Sequence, residues 1–152
     1  MSGLEEWFKL AGAWSGNNRL WLPPAEEAYE SQTTATVSPI VGGKFVQFAY
    51  TWAFEGDAQE GVLLIGFEPE SGAVTVVWAD SWHMDNKFML CQGQIENSRI
   101  VVRGSWSVES GPDWGWRIEL DTEAATLRMR MYVIEPAGDE ALGVEAIYTR
   151  AE

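Results

Sequence analysis

Short alternating segments separated by turn residues run through most of this chain, and they constrain its fold more than any other feature. The clearest segment is 44–54, in which every second position from 46 onward carries a large apolar residue: Val46, Phe48, Tyr50, Trp52 and Phe54. Clusters rich in Gly, Pro, Asn, Asp and Ser lie between such segments. The pattern predicts strands at 29–37, 44–54, 60–68, 73–83, 87–94, 99–108, 114–121, 126–134 and 142–150, with one more around Trp14.

These about ten strands, roughly 8 to 12 residues apart, indicate an all-β domain. The one predicted helix covers residues 3–11, where Leu4, Trp7, Phe8 and Ala11 follow a helical spacing. Without long helices to make crossovers, neighbouring strands pair antiparallel, and closing the sheet removes its two edges. We therefore expect a single domain over 1–152, a closed antiparallel β-barrel of a size that can enclose one small ligand.

Charge and cysteine content exclude several classes of function. The formal net charge of −13 repels phosphate backbones and anionic lipid surfaces, so we expect neither nucleic-acid nor membrane partners. Cys91 is the one cysteine, which rules out an internal disulfide and a cysteine-based zinc site. Neither a signal peptide nor a long apolar span is recognisable, so we expect a cytoplasmic protein that is a monomer or a homodimer.

Two residues at opposite ends of the chain resemble the lipocalin-like, or calycin, pattern. Gly12-Ala13-Trp14 provides a G-x-W at the first strand, and Arg150 closes the last one. The resemblance implies that the Trp14 indole covers the barrel floor and holds the Arg150 guanidinium by cation–π attraction. The alternative is that Trp14 is an ordinary core residue.

Longer segments give a closer resemblance that covers nearly the whole chain. They are Asp80-Ser81-Trp82-His83-Met84, Asp113 to Leu120 (DWGWRIEL) and Met129-Arg130-Met131-Tyr132. These segments are similar to those of a bacterial family known only as a domain of unknown function, the one numbered fifteen seventy-nine. The resemblance implies a lipocalin-like barrel and assigns no activity or ligand.

Haem deserves consideration because haem-binding nitrobindin barrels belong to the wider calycin superfamily. A proximal ligand must be a side chain such as His on a wall that faces a flat apolar cavity. His83, the one histidine, falls instead at a predicted strand end between Trp82 and Met84, and no nitrobindin-like histidine lies towards the C-terminus. We therefore expect no haem and no other cofactor.

Three residues of the predicted strand 73–83 form a candidate site, because Trp78, Asp80 and Trp82 are spaced by two and share a face. A buried carboxyl between two indoles would have a raised pKa and could donate a proton or bind a polar ligand atom. The alternative is that Asp80 accepts hydrogen bonds from the adjoining turn. His83 also has two interpretations: it is either a catalytic base or a structural residue that makes hydrogen bonds.

The last three strands each carry one charged face. Arg117 and Glu119 lie opposite Trp116, while Arg130 and Tyr132 lie opposite Met129. The face points either to water, with cross-strand ion pairs, or into the barrel, where Arg117, Arg130 and Tyr132 would hold an anionic head group.

The leading hypothesis is a binding protein whose lumen encloses a small apolar molecule with a polar or acidic end. The apolar contacts would come from four indoles and a thioether, those of Trp52, Trp78, Trp82, Trp116 and Met129. An enzyme, such as a lyase or isomerase, is an alternative that would use Asp80, His83, Glu119 or Tyr132 for proton transfer. A third hypothesis is self-association through exposed Trp residues. A barrel filled by its own indoles would remove the lumenal site.

Overall fold

Ten antiparallel strands close into a barrel that follows one short helix. The computed structural model describes residues 4–23 and 25–151. The elements are α1 Leu4–Phe8, β1 Gly12–Leu20, β2 Tyr29–Ile40, β3 Phe45–Phe54, β4 Asp57–Phe67, β5 Ala73–Asp80, β6 Met89–Glu96, β7 Arg99–Trp106, β8 Trp114–Glu123, β9 Thr126–Ile134 and β10 Glu140–Arg150. Each strand pairs with its neighbours along the chain, and β1 also pairs with β10 to complete the ring. The expected closed all-β barrel is confirmed.

Alternation along the strands decides which side chains fill the interior. In β3 the buried positions are 46, 48, 50 and 52, and in β9 they are 127, 129 and 131. These side chains belong to one continuous core that also includes residues of the other strands. Because successive side chains point to opposite faces, each strand contributes its apolar set inward and its polar set outward.

The two ends of the barrel differ. At the closed end, α1 packs against β2 and β3, and the Trp14 indole donates a hydrogen bond to the Leu10 carbonyl at 2.8 Å. The Arg150 guanidinium lies 4.6 Å from the centre of the Trp14 ring. It also donates to the carbonyls of Lys9 and Ala11, each at 2.6 Å. Arg150 therefore joins the last strand to the backbone that follows the helix.

The opposite end, here called the mouth, is the end at which β5 and β7 finish. It is bordered by the segment 81–88, which connects β5 to β6, and by the segment 107–113, which connects β7 to β8. Phe88 is 68% exposed in the first of these segments. No described helix has the length and apolar character that crossing a membrane would require.

Three predicted elements are shorter than expected, and one of them is the strand 99–108, which ends at Trp106. The helix ends at Phe8 instead of residue 11, because Leu10 and Ala11 form tight turn hydrogen bonds to Trp7 and Phe8. The predicted strand 73–83 ends at Asp80, whose carboxylate accepts the backbone N–H groups that follow it. The expectation that Trp82 shares a strand face with Trp78 and Asp80 is therefore wrong.

Candidate functional site

A buried carboxylate lies at the centre of the mouth. Asp80 is 4% exposed, and its Oδ2 accepts the Tyr50 hydroxyl at 2.6 Å and the Trp52 indole N–H at 3.2 Å. Its Oδ1 accepts the backbone N–H groups of Trp82 at 2.8 Å and His83 at 3.0 Å. Four donors thus replace the water that burial removes from the carboxylate. The interpretation of Asp80 as a turn acceptor agrees with these contacts.

Tyr50 extends this network to a second indole. Its hydroxyl oxygen accepts the Trp78 indole N–H at 2.9 Å while the hydroxyl donates to Asp80. Burial, followed by the nearby Asp80 charge, raises the pKa of Tyr50 well above its ordinary value. The phenol therefore keeps its proton at neutral pH and remains a donor to the carboxylate.

Gly61 makes the contact between Tyr50 and Asp80 possible. In the sheet register Gly61 of β4 lies between Tyr50 of β3 and Asp80 of β5. A Cβ at position 61 would lie 2.3 Å from the Tyr50 hydroxyl oxygen. The phenol crosses β4 because this position has no side chain.

The His83 imidazole lies among four indoles. Its ring centre is 4.9 Å from that of Trp82, 5.4 Å from Trp78, 5.6 Å from Trp116 and 5.7 Å from Trp52. Burial lowers the pKa of His83, and the Asp80 charge opposes that effect. The imidazole is therefore neutral at pH 7 and covers the inner end of the site.

The interior beneath His83 is almost filled. An enclosed cavity of about 10 Å³ borders Asp80 and His83 and is also lined by Asn18, Leu20, Tyr50, Trp52, Met129, Met131 and Val144. This volume is about that of one water probe. The cavity expected around Trp52 and Met129 is therefore too small for an organic ligand, because the aromatic side chains occupy the lumen themselves.

Open space lies at the mouth instead. A pocket of about 190 Å³ is lined by Trp78, His83, Met84, Met89, Trp106 and Trp116. A second pocket of about 400 Å³ shares three of these residues and adds five polar ones, Asp85, Lys87, Ser105, Ser107 and Asp113, together with the exposed Phe88. Trp78 and Trp116 stack at 5.3 Å with an angle of 8° between their planes, so they give the first pocket a flat apolar wall.

The charged faces of β8 and β9 lie on the outside of the barrel. Arg117 contacts Glu119 at 2.9 Å, and its guanidinium carbon lies 4.0 Å from the centre of the Tyr132 ring. Arg130 contacts Glu145 at 2.8 Å. The hypothesis that Arg117, Arg130 and Tyr132 hold a head group in the lumen is therefore wrong.

The structure separates the residues of the enzyme hypothesis as well. Asp80 and His83 lie together at the mouth, whereas Glu119 and Tyr132 are on the outer face of the wall. Glu119 is 7% exposed because Arg99 and Arg117 cover it. These four residues do not form one acid–base constellation.

Sequence reasoning placed Trp78, Asp80, His83 and Trp116 at one site, and they do meet at the mouth. Trp82 joins them from outside β5 and packs on the Trp52 and Phe54 rings. Three residues of the apolar pocket were not predicted from the sequence: Met84, Met89 and Trp106. Trp106 could have been found, since it continues the apolar alternation of β7 and ends at the mouth.

Exposed tryptophans for self-association are absent. All nine tryptophans lie within the described ranges, and each is buried or partly buried. The large apolar residues that are exposed are Tyr29, Val41, Phe88, Leu90 and Ile147. The structure therefore shows no fully exposed tryptophan for a contact between copies.

A family model described as "Protein of unknown function (DUF1579)" matches residues 5–150. The chain belongs to this family. The expected family is thereby confirmed, and the mouth pocket becomes the candidate site of a DUF1579 protein. No curated protein matches the chain.

The fold of this DUF1579 protein also occurs among solved structures. It is similar to the crystal structure of Rv2717c from M. tuberculosis, with a TM-score of 0.68 and 13% sequence identity. The similarity covers 98% of this chain and 97% of the other. At this level of identity the two proteins share a fold, and the chemistry at the mouth must be argued from the residues of this chain.

Proposed function

We propose that the protein binds a small, largely apolar molecule with a polar end at the mouth of its barrel. The observation that carries this proposal is the pocket between the Trp78, Trp106 and Trp116 indoles, which shares three of its lining residues with a more polar pocket. Ligand sites are usually mostly apolar clefts with a few polar groups that orient the ligand. The two pockets together provide this combination.

Size supports a ligand that spans both pockets. Small-molecule sites have volumes of about 300–1,000 Å³. The apolar pocket of about 190 Å³ is below this range, whereas the adjoining polar pocket adds about 400 Å³. The ligand therefore places a ring or short apolar chain against the indoles and its polar end outside.

An unpaired donor also supports binding beside Trp116. Its indole N–H is buried and has no hydrogen-bond partner among the described residues. An unsatisfied buried donor costs about 1–3 kcal/mol. A ligand acceptor that reached this N–H through a small shift of the ring would recover part of that free energy.

The test uses N-phenyl-1-naphthylamine, an uncharged probe whose fluorescence rises in apolar pockets. We expect saturable binding with one probe per chain, and we expect Trp106→Leu to weaken it about tenfold, which corresponds to about 1.4 kcal/mol. Trp106 lines both pockets, so its removal takes away apolar contact area.

Trp21→Leu is the matched control, because Trp21 is partly buried and follows β1 at the same end of the barrel without lining either pocket. We expect the affinity of this variant for the probe to stay within about twofold of that of the unmodified protein, which corresponds to ~0.4 kcal/mol. Equal losses in the two variants, or the absence of saturable binding, would contradict the proposal.

A further inference from the structure

We infer that the polar end of the ligand is a positively charged amine or ammonium group. This inference rests on the proposed binding at the mouth and adds the sign of the ligand charge. It comes from the charges and aromatic rings that surround the two pockets.

The first observation is that the Asp80 charge has no positive partner. The donors to its carboxylate are a phenol, an indole and two backbone N–H groups, all uncharged. Within 5–23 and 25–151, the ion pairs of Lys and Arg go to other carboxylates. The neighbouring His83 is neutral at pH 7 because burial lowers its pKa. Asp80 lines neither pocket, but it borders the small cavity behind His83, which lines both, so an uncompensated negative charge adjoins the site in a poorly solvated environment, where charges interact more strongly than in water.

The second observation is the aromatic surroundings. Indole faces are the strongest cation–π partners among side chains, and groups of aromatic rings bind ammonium ligands in this way. Trp78, Trp106 and Trp116 line the apolar pocket. Trp106 lines the polar pocket as well, so an ammonium group at the outer end of the ligand can contact an indole ring there.

The third observation is the charge of the outer pocket. Its lining contains two carboxylates, those of Asp85 and Asp113, and one ammonium group, that of Lys87. The whole chain has a net charge of −13, which adds a negative potential of longer range. A carboxylate ligand would be repelled by this potential, and the arginines that might have held it lie on the outer wall.

The experiment compares three probes with the same ring and different charges: phenethylamine, 2-phenylethanol and phenylacetate. His83 is the one histidine, so its Cε1 proton resonance reports on binding at the mouth without assignment of the whole spectrum. We expect phenethylamine to bind at least about tenfold more tightly than phenylacetate, with 2-phenylethanol between them. Added NaCl should weaken phenethylamine binding and leave 2-phenylethanol binding unchanged, because screening acts on charged ligands.

The double variant Asp85→Asn, Asp113→Asn should reduce the preference for the amine by at least threefold. Asn tolerates the positive φ of 54° at position 85, so the backbone of this segment is preserved. Glu70→Gln removes one exposed charge at the closed end and should leave the preference unchanged.

The outcomes separate this inference from the proposed function. If 2-phenylethanol or phenylacetate binds as tightly as phenethylamine, the site stands and the inferred charge is wrong. If none of the three probes and no uncharged aromatic probe shifts the His83 resonance, binding at the mouth itself is wrong. A Glu70→Gln effect on the preference about half that of the double variant would also overturn the inference, because one charge is removed instead of two and the preference would then reflect the total charge alone.

Discussion

At the scale of single residues, His83 is subject to two opposing effects on its protonation. Burial among the indoles disfavours the imidazolium, while the negative charge of Asp80 favours it. Burial is the larger effect and lowers the pKa below the ordinary value of 6.5. Burial therefore determines the protonation of His83 more strongly than the single carboxylate does.

We predict that the His83 Cε1 proton titrates with a midpoint below 6.5 in the folded protein and close to 6.5 in concentrated urea. Since the folded pKa is the lower one, the unfolded chain binds more protons as the pH falls below 6.5. The stabilising effect of a neutral His83 is present above pH 6.5 and is lost as the pH falls through the folded pKa.

The control for this titration is His83→Gln, which removes the ionisable group. The free energy of unfolding of this variant, measured with urea, should depend less on pH below 6.5 than that of the unmodified protein. A folded midpoint above 6.5 would show that the attraction of Asp80 exceeds the effect of burial.

At the scale of elements, β3, β4 and β5 build the site together. Tyr50, Gly61 and Asp80 lie in register on these three strands, and the missing side chain at position 61 lets the phenol reach the carboxylate. Asp80 then ends β5 by accepting the backbone of the next two residues. The hydrogen bonds that Asp80 accepts thus end β5 and also direct the chain so that His83 lies in the mouth.

Gly61→Ala should destabilise the protein by about 1–3 kcal/mol, because the new methyl group and the Tyr50 ring cannot occupy the same space. Urea unfolding measures this loss, and the near-ultraviolet circular dichroism of the surrounding indoles should change with it.

Gly143→Ala provides the comparison for Gly61. A Cβ at position 143 would meet its nearest neighbour, the Met131 carbonyl oxygen, at 3.7 Å, which is ordinary contact. Its effect should be below about 1 kcal/mol. Similar losses in the two variants would show that Tyr50 does not depend on the gap at Gly61.

At the scale of the whole molecule, the barrel is a ring in which the first strand pairs with the last. Trp14 and Arg150 are directly opposite each other in the β1–β10 register, and their side chains meet at the closed end. This pairing joins chain segments that are far apart in sequence, so its formation must overcome a large loss of chain entropy. The contacts of Arg150 offset part of that loss.

Arg150→Met should lower the free energy of unfolding by about 1–2 kcal/mol, since it removes two charge-assisted hydrogen bonds and a cation–π contact at an exposed position. Urea unfolding at neutral pH provides the measurement.

Arg103→Met is the matched control, an exposed arginine in the middle of β7. Its substitution should change the free energy of unfolding by no more than about 0.5 kcal/mol. If Arg150→Met has an equally small effect, closure depends on the β1–β10 backbone pairing alone.

The number of strands, their antiparallel pairing and the closed barrel could be predicted from the sequence. Alternation with a period of two is a local property, and the turn residues between segments mark where each strand ends. The same alternation divides β8 into an apolar and a charged face, although it left open which of them lies inside. The buried side chains of β8 and the cross-strand ion pairs on the outer face answered that question.

The composition of the site was decided by tertiary structure. Tyr50 and Gly61 are 11 positions apart in the sequence, and only the register of neighbouring strands brings the phenol across the glycine to Asp80. Whether a lumen is hollow depends on how side chains from all strands fill a shared volume, and here the cavity beneath His83 has a volume of about 10 Å³. The alternation along each strand therefore determined the wall of the barrel. Packing among residues distant in sequence determined that the two pockets of the candidate site lie at its mouth.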